Sequence, residues 1–71
     1  MSVRLCWWPS SDGGRVELFR DGEVFITKHI YADGSSTTVI VDTLRAQEHY
    51  RYAQREGHVD GPFPFRRRRA T

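Results

Sequence analysis

Two Asp-Gly dipeptides, Asp21-Gly22 and Asp33-Gly34, separate three β-rich runs, and Asp42 then opens a helical one. Asp-Gly between alternating apolar residues is a strong short-range hairpin signal. The stretch from Arg15 to Gly57 therefore reads as RVELF-RDG-EVFITKHIY-ADG-SSTTVIV, followed by the helix DTLRAQEHYRYAQREG. The expected fold class is α+β: a small antiparallel β-meander of three or four strands, with one C-terminal helix packed on one face and an extended basic tail.

Register follows from the rule that side chains opposite one another across a sheet share a face. A two-residue turn at Asp21-Gly22 would set Leu18 against Phe25 and mix the faces. A three-residue loop, Arg20-Asp21-Gly22 with Gly22 as a G1 bulge, pairs Leu18 with Val24 and Val16 with Ile26. For the second hairpin, a two-residue type I′ turn at Asp33-Gly34 sets Ile26 against Val41 and Ile30 against Thr37. The predicted core face is then Val16, Leu18, Val24, Ile26, Ile30, Val39 and Val41. Glu17, Phe19, Phe25, Thr27, His29, Tyr31, Thr38 and Ile40 fall on the other face, and both turn glycines need a positive φ.

Asp42 suits a helix N-cap, and Gly57 suits the residue that ends the helix. At 100° per residue Ala46, His49, Tyr50 and Ala53 share one narrow sector, which must lie on the sheet. On the far side, Glu48 is placed to pair with Arg51 at i,i+3. Upstream, VRLCWW (residues 3–8) forms an opening strand with apolar side chains on both faces, so it is expected to be central or covered twice. Downstream, residues 62–71 form a Pro/Phe arm and an Arg-rich tail attached to a single α+β domain over residues 1–61. Phe63 and Phe65 could dock that arm on the body.

A chain of 71 residues makes one domain at most and buries only roughly 60% of its unfolded surface. The single cysteine, Cys6, excludes an internal disulfide, and no apolar run approaches the ~20 residues that span a bilayer. A soluble, cytoplasmic protein is the expectation. The net charge of +2 is unevenly placed: up to residue 61 acidic side chains outnumber basic ones, nine to seven, and the excess is Arg66, Arg67, Arg68 and Arg69. A slightly acidic body is a poor electrostatic match for a phosphate backbone.

The outer sheet face supplies the first candidate site. Phe19, Phe25, His29, Tyr31 and Ile40 are too apolar for a face meant for water, and interface cores favour aromatics. The same pattern would arise if the opening strand or the Pro/Phe arm covered that face. The second candidate is basic. Arg66, Arg67, Arg68 and Arg69, helped by Arg51 and Arg55 on the helix, suit nucleic acid. The run would equally suit an anionic membrane or an acidic protein surface, and a solvated tail and a solvated helix face have the same composition. His29, His49, His58 and Cys6 lack metal-ligand spacing, so no metal or cofactor is expected. No nucleophile–base pair can be named, and an enzyme is not expected.

Strands followed by one helix, with alanines on its inner face over residues 15–57, resemble the three-stranded sheet plus helix of AP2-type and integrase arm-binding DNA-binding domains. The resemblance is one of architecture. It implies DNA reading by basic residues on the exposed sheet face, where the register above places none among the aromatics, so no residue role is carried over. The function expected from the residues is that of a small non-catalytic binding protein. It would act as an inhibitor or adaptor by covering a surface of a larger protein or nucleoprotein complex, as phage accessory and anti-defence proteins do. Direct nucleic-acid binding is the alternative.

Overall fold

The computed structural model describes residues 2–64; the candidate residues Arg66, Arg67, Arg68 and Arg69, and Phe65, lie outside them. Four strands, β1 (Ser2–Pro9), β2 (Arg15–Asp21), β3 (Val24–Ile30) and β4 (Ser36–Val41), precede one helix, α1 (Thr43–Arg55). They form a single antiparallel sheet in the order β1-β2-β3-β4. Successive strands joined by short loops pair with their sequence neighbours because antiparallel partners need no long crossover. The α+β meander with one packed helix is therefore the architecture of the chain.

Helix α1 begins where expected. The Asp42 carboxylate accepts from the Arg45 amide at 2.8 Å, and Gly57 follows the C-cap Glu56 with φ +80°. Ala46, Tyr50 and Ala53 are buried and face β1 and β2, while His49 packs its ring on Trp8 at 5.0 Å. Two alanines in that sector bring the helix close to the strands. On the far side Glu48 pairs with Arg45 (3.6 Å), one turn before it, and not with Arg51 one turn after it as expected.

The two loop lengths are the reverse of the expectation. β2 and β3 close on the pair Asp21↔Val24, leaving a two-residue turn at Gly22-Glu23 with Gly22 at φ +65°. A positive φ at the first central position is the type II′ pattern. In the second hairpin Tyr31 N–H donates to Ser35 O (2.8 Å) and Gly34 N–H donates to Tyr31 O (2.9 Å). This is a three-residue loop with Gly34 (φ +95°) as the G1 bulge, braced by Asp33, which accepts from the Ser35 amide and hydroxyl.

Each reversal shifts register by an odd number of residues, and an odd shift turns every side chain of a strand over. For β4 the two shifts cancel, so Val39 and Val41 share the face of Val16 and Leu18 as expected. For β3 they do not. Val24, Ile26 and Ile30 lie on the face away from the helix, and Phe25, Thr27 and His29 on the helix side. The reason is packing: Phe25 is buried and stacks on Phe63, ring centroids 5.2 Å apart, and Phe63 also meets Tyr50. Tyr50 Oη donates to Gly61 O (2.6 Å), pinning the chain that carries Phe63. The packed body thus reaches at least Pro64.

Strand β1 is an edge strand, not a central one, and it carries a β-bulge between Arg4 and Cys6. The extra residue lets both Leu5 and Cys6 enter the core. The free side of β1 is closed by the chain after the helix: Trp7 N–H donates to His58 O, Asp60 N–H donates to Leu5 O, and Cys6 bridges Val59.

Two stability outcomes follow. Phe25→Ala should cost about 3–5 kcal/mol, as core aromatics do, whereas Ile26→Ala on the half-buried outer face should cost about 1 kcal/mol; urea unfolding of both variants compares them. Gly22→Val and Gly34→Val should each cost on the order of 1–2 kcal/mol. An added Cβ meets nothing within 4 Å at either position, so that loss is backbone strain alone, and chemical shifts of the rest of the sheet should be unchanged.

Candidate functional site: the uncovered sheet face

Helix α1 and the Phe63 segment occupy one face of the sheet, and the opposite face has neither. Two rows of paired residues cross this outer face. One is Arg4–Phe19–Ile26–Ile40; the next is Trp7–Glu17–Lys28–Thr38, and Arg15 lies on the same face in the row beyond it, between Pro9 and Ile30. Phe19 and Ile26 are half-buried, and Ile40 is 73% exposed. Ser2, Phe19, Ile26, Lys28 and Thr38 line a shallow open depression there.

The expected aromatic set does not assemble on this face. Phe19 and Ile40 are on it. Phe25 is in the core on the other side, for the packing reason given above. His29 is also on the helix side, and Tyr31 follows the end of β3 and stacks on His29 at 4.2 Å. The odd register shift of β3 is the cause of the division. It brings instead Ile26 and Lys28 outward, and the β1 bulge brings Arg4. Without the extra residue Arg4 would share the face of Cys6; with it, Arg4 shares the face of Trp7 and Glu17.

That placement builds an ionic cluster. Arg4 Nη1 donates to Glu17 Oε2 at 2.8 Å, and Arg4 Nε donates to Asp60 Oδ2 at 2.9 Å. Arg15 Nε donates to the same Glu17 oxygen at 3.0 Å. Burial pushes the Glu17 carboxyl up, but the hydrogen bonds from Arg15 and Arg4 outweigh it and hold the group below the usual glutamate range. Glu17 is 6% exposed, so it acts as a buried anchor that fixes the two guanidinium groups. Arg4, Trp7 and Arg15 together line a second open depression. The alternation Arg15-x-Glu17-x-Phe19 was the one signal that could have placed part of this cluster, since those three must share a face.

At the far end of β3, His29 Nε2 stands 3.2 Å from Ser10 Oγ and 3.1 Å from Asp12 Oδ2. A serine–histidine–aspartate relay needs the acid on one ring nitrogen and the hydroxyl on the other. Here both contact the same nitrogen, so the cluster ties the Ser10–Gly14 loop to the sheet and does not activate a nucleophile. Asp12 also accepts from Gly14 N–H at 2.9 Å, which, with the Ser10 contact, lowers its carboxyl. Cys6 is fully buried, and burial pushes its thiol up to about 12, so it is a packing residue without thiolate character. Among the described residues no group of three or more His, Cys, Asp or Glu could hold a metal ion, and no helix is long and apolar enough to cross a membrane.

Arg51 and Arg55 are exposed on the helix side away from the sheet. The sheet lies between them and Arg4, Arg15 and Lys28. The helix arginines and the outer face cannot contact one flat partner together.

Because the folded Glu17 carboxyl lies below its unfolded value of 4.5, its contribution to stability is complete above that pH and is lost as pH falls through the folded value. Glu17→Gln should therefore lower stability at neutral pH by about 1.5–3 kcal/mol, the range for hydrogen bonds to a charged group. Denaturation curves of variant and parent should converge at acid pH, where both side chains are neutral.

The chain matches no family model, no curated protein and no solved structure.

Proposed function

We propose that this chain is a non-catalytic binding protein that lays the outer face of its sheet on a larger protein or nucleoprotein partner, as an inhibitor or adaptor. The observation that carries this reading is the row Phe19–Ile26–Ile40, which crosses β2, β3 and β4 on the face that no helix covers. An apolar centre rimmed by Arg4, Lys28 and Thr38 has the anatomy of a protein interface, with a dry core inside a polar border. The anchor set differs from the aromatic one expected from sequence: Phe19 and Ile40 remain, Ile26 joins them, and Phe25, His29 and Tyr31 leave.

A second reading has its own support. Arg4, Arg15 and Lys28 share this face with Trp7 and Phe19, the mixture of cations and ring faces that binds single-stranded nucleic acid. Against it, both arginines are already bonded to carboxylates, Glu17 and Asp60, which leaves little net field on the face. The phosphate-seeking charge would then have to come from the Arg66–Arg69 run.

Binding titrations separate the two. Ile40→Asp should abolish capture of the partner by the tagged protein while changing stability by less than about 0.5 kcal/mol, as exposed sites do. Phe19→Ala should cost about 2 kcal/mol or more of binding, in the manner of an interface anchor. Affinity should change little between low and physiological salt. If instead log K falls linearly with log salt and deletion of residues 66–71 removes binding, phosphate contacts dominate and the nucleic-acid reading replaces the first.

A further inference from the structure

The two edges of the sheet are treated differently. The β1 edge carries a bulge, ends in Pro9 and is closed by His58–Asp60. Bulges, prolines and covering loops are the devices by which proteins stop a sheet edge from pairing with another strand. Among the described residues strand β4 has none of them: Ser36-Thr37-Thr38-Val39-Ile40-Val41 contains no charge, no proline and no bulge, and its register with β3 is unbroken. Its residues are exposed from Ser36 to Ile40.

What would cover β4 is indicated by where its apolar groups point. Val39 (56% exposed) is on the helix side and Ile40 (73% exposed) on the outer side. A partner lying on one face would cover one of them and leave the other wet. A strand lying alongside flanks both.

The hydrogen-bond pattern fixes which groups are available. Tyr31 N–H bonds Ser35 O, so in an antiparallel ladder the pairs His29–Thr37, Thr27–Val39 and Phe25–Val41 are the ones that exchange backbone bonds. The N–H and C=O groups of Ser36, Thr38 and Ile40 therefore turn outward. From these features we propose that β4 pairs antiparallel with β4 of a second copy, about a two-fold axis through Val39, to make a continuous eight-stranded sheet.

That register is self-consistent. It matches Thr38 with Ile40 of the other copy, and both have outward backbone groups, so each donates to and accepts from the other. It sets Val39 against Val39 on the helix side and Thr37 against Val41. Every one of these pairs is β-branched, the residue type that packs best across strands. A foreign strand would be selected through charge or side-chain pockets, and this edge has no charge to select with. The copy needs none. The dimer also joins the two Phe19–Ile26–Ile40 rows into one surface; it does not depend on what that surface binds.

Sedimentation equilibrium of the full chain tests the proposal. The parent should approach twice its 8.3 kDa mass as concentration rises. Thr38→Pro removes an outward N–H and leaves the β3–β4 ladder intact, so it should give a folded monomer by circular dichroism. Val39→Lys and Val39→Glu should each weaken association on the order of tenfold or more, because like charges then stand directly opposite. Mixing those two variants should restore a dimer. A parent that stays monomeric at millimolar concentration would overturn the proposal, as would a dimer that survives both Thr38→Pro and Val39→Lys. A monomer that dimerises only after residues 65–71 are removed would place the chain's own tail on the edge and overturn it as well.

Discussion

The parity of β3 is the constraint on which the rest depends. In a sheet the side-chain period is two, so β3 offers the core either Val24, Ile26 and Ile30 or Phe25, Thr27 and His29, and never a mixture. The first set is more uniformly apolar. The second wins because Phe25 reaches Phe63, which in turn packs on Tyr50, and an aromatic cluster buries more surface than isolated aliphatic side chains at a thinly covered strand. The helix contacts β1 and β2 chiefly, so the far half of the sheet is covered on that side by one ring from the segment after it. The two loop types are the geometric consequence of this choice.

Much of this was legible in the sequence and some of it was not. The helix, its Asp42 cap, its Gly57 terminus and its inner face of Ala46, Tyr50 and Ala53 are local properties, and local properties can be read from neighbouring residues. The positive φ at Gly22 and Gly34 was legible for the same reason. Loop length was not, because Asp-Gly serves both two- and three-residue hairpins and the deciding contact, Phe25 with Phe63, is remote in sequence. Val39 and Val41 were placed on the right face only because two odd shifts cancel. Three of the five residues expected on the outer face, Phe25, His29 and Tyr31, were lost with β3. The β1 bulge has no sequence mark either, so neither Arg4 nor its bonds to Glu17 and Asp60 could be anticipated.

A small chain cannot cover both faces of a four-stranded sheet with one helix. Here the covered face takes Leu18, Cys6 and Phe25, and the uncovered one is finished with a mixture: half-buried Phe19 and Ile26, and a carboxylate locked between two arginines. That ionic cluster stiffens β1 against β2 on the side where no helix can do so. A rigid, partly apolar sheet face is a suitable platform for recognition, since little order must be imposed on binding.

The short return of the chain along β1, through His58, Val59 and Asp60, has a consequence for assembly. A sheet with two open edges can add copies without limit and grow into a fibre, because each added copy presents a fresh edge. This sheet is sealed on one side by its own backbone. Pairing through the β4 edge uses up its row of donors and acceptors, and the product has β1 and its seal at both ends. The topology therefore permits closure at two copies, so a strand as bare as β4 is compatible with a chain that does not polymerise.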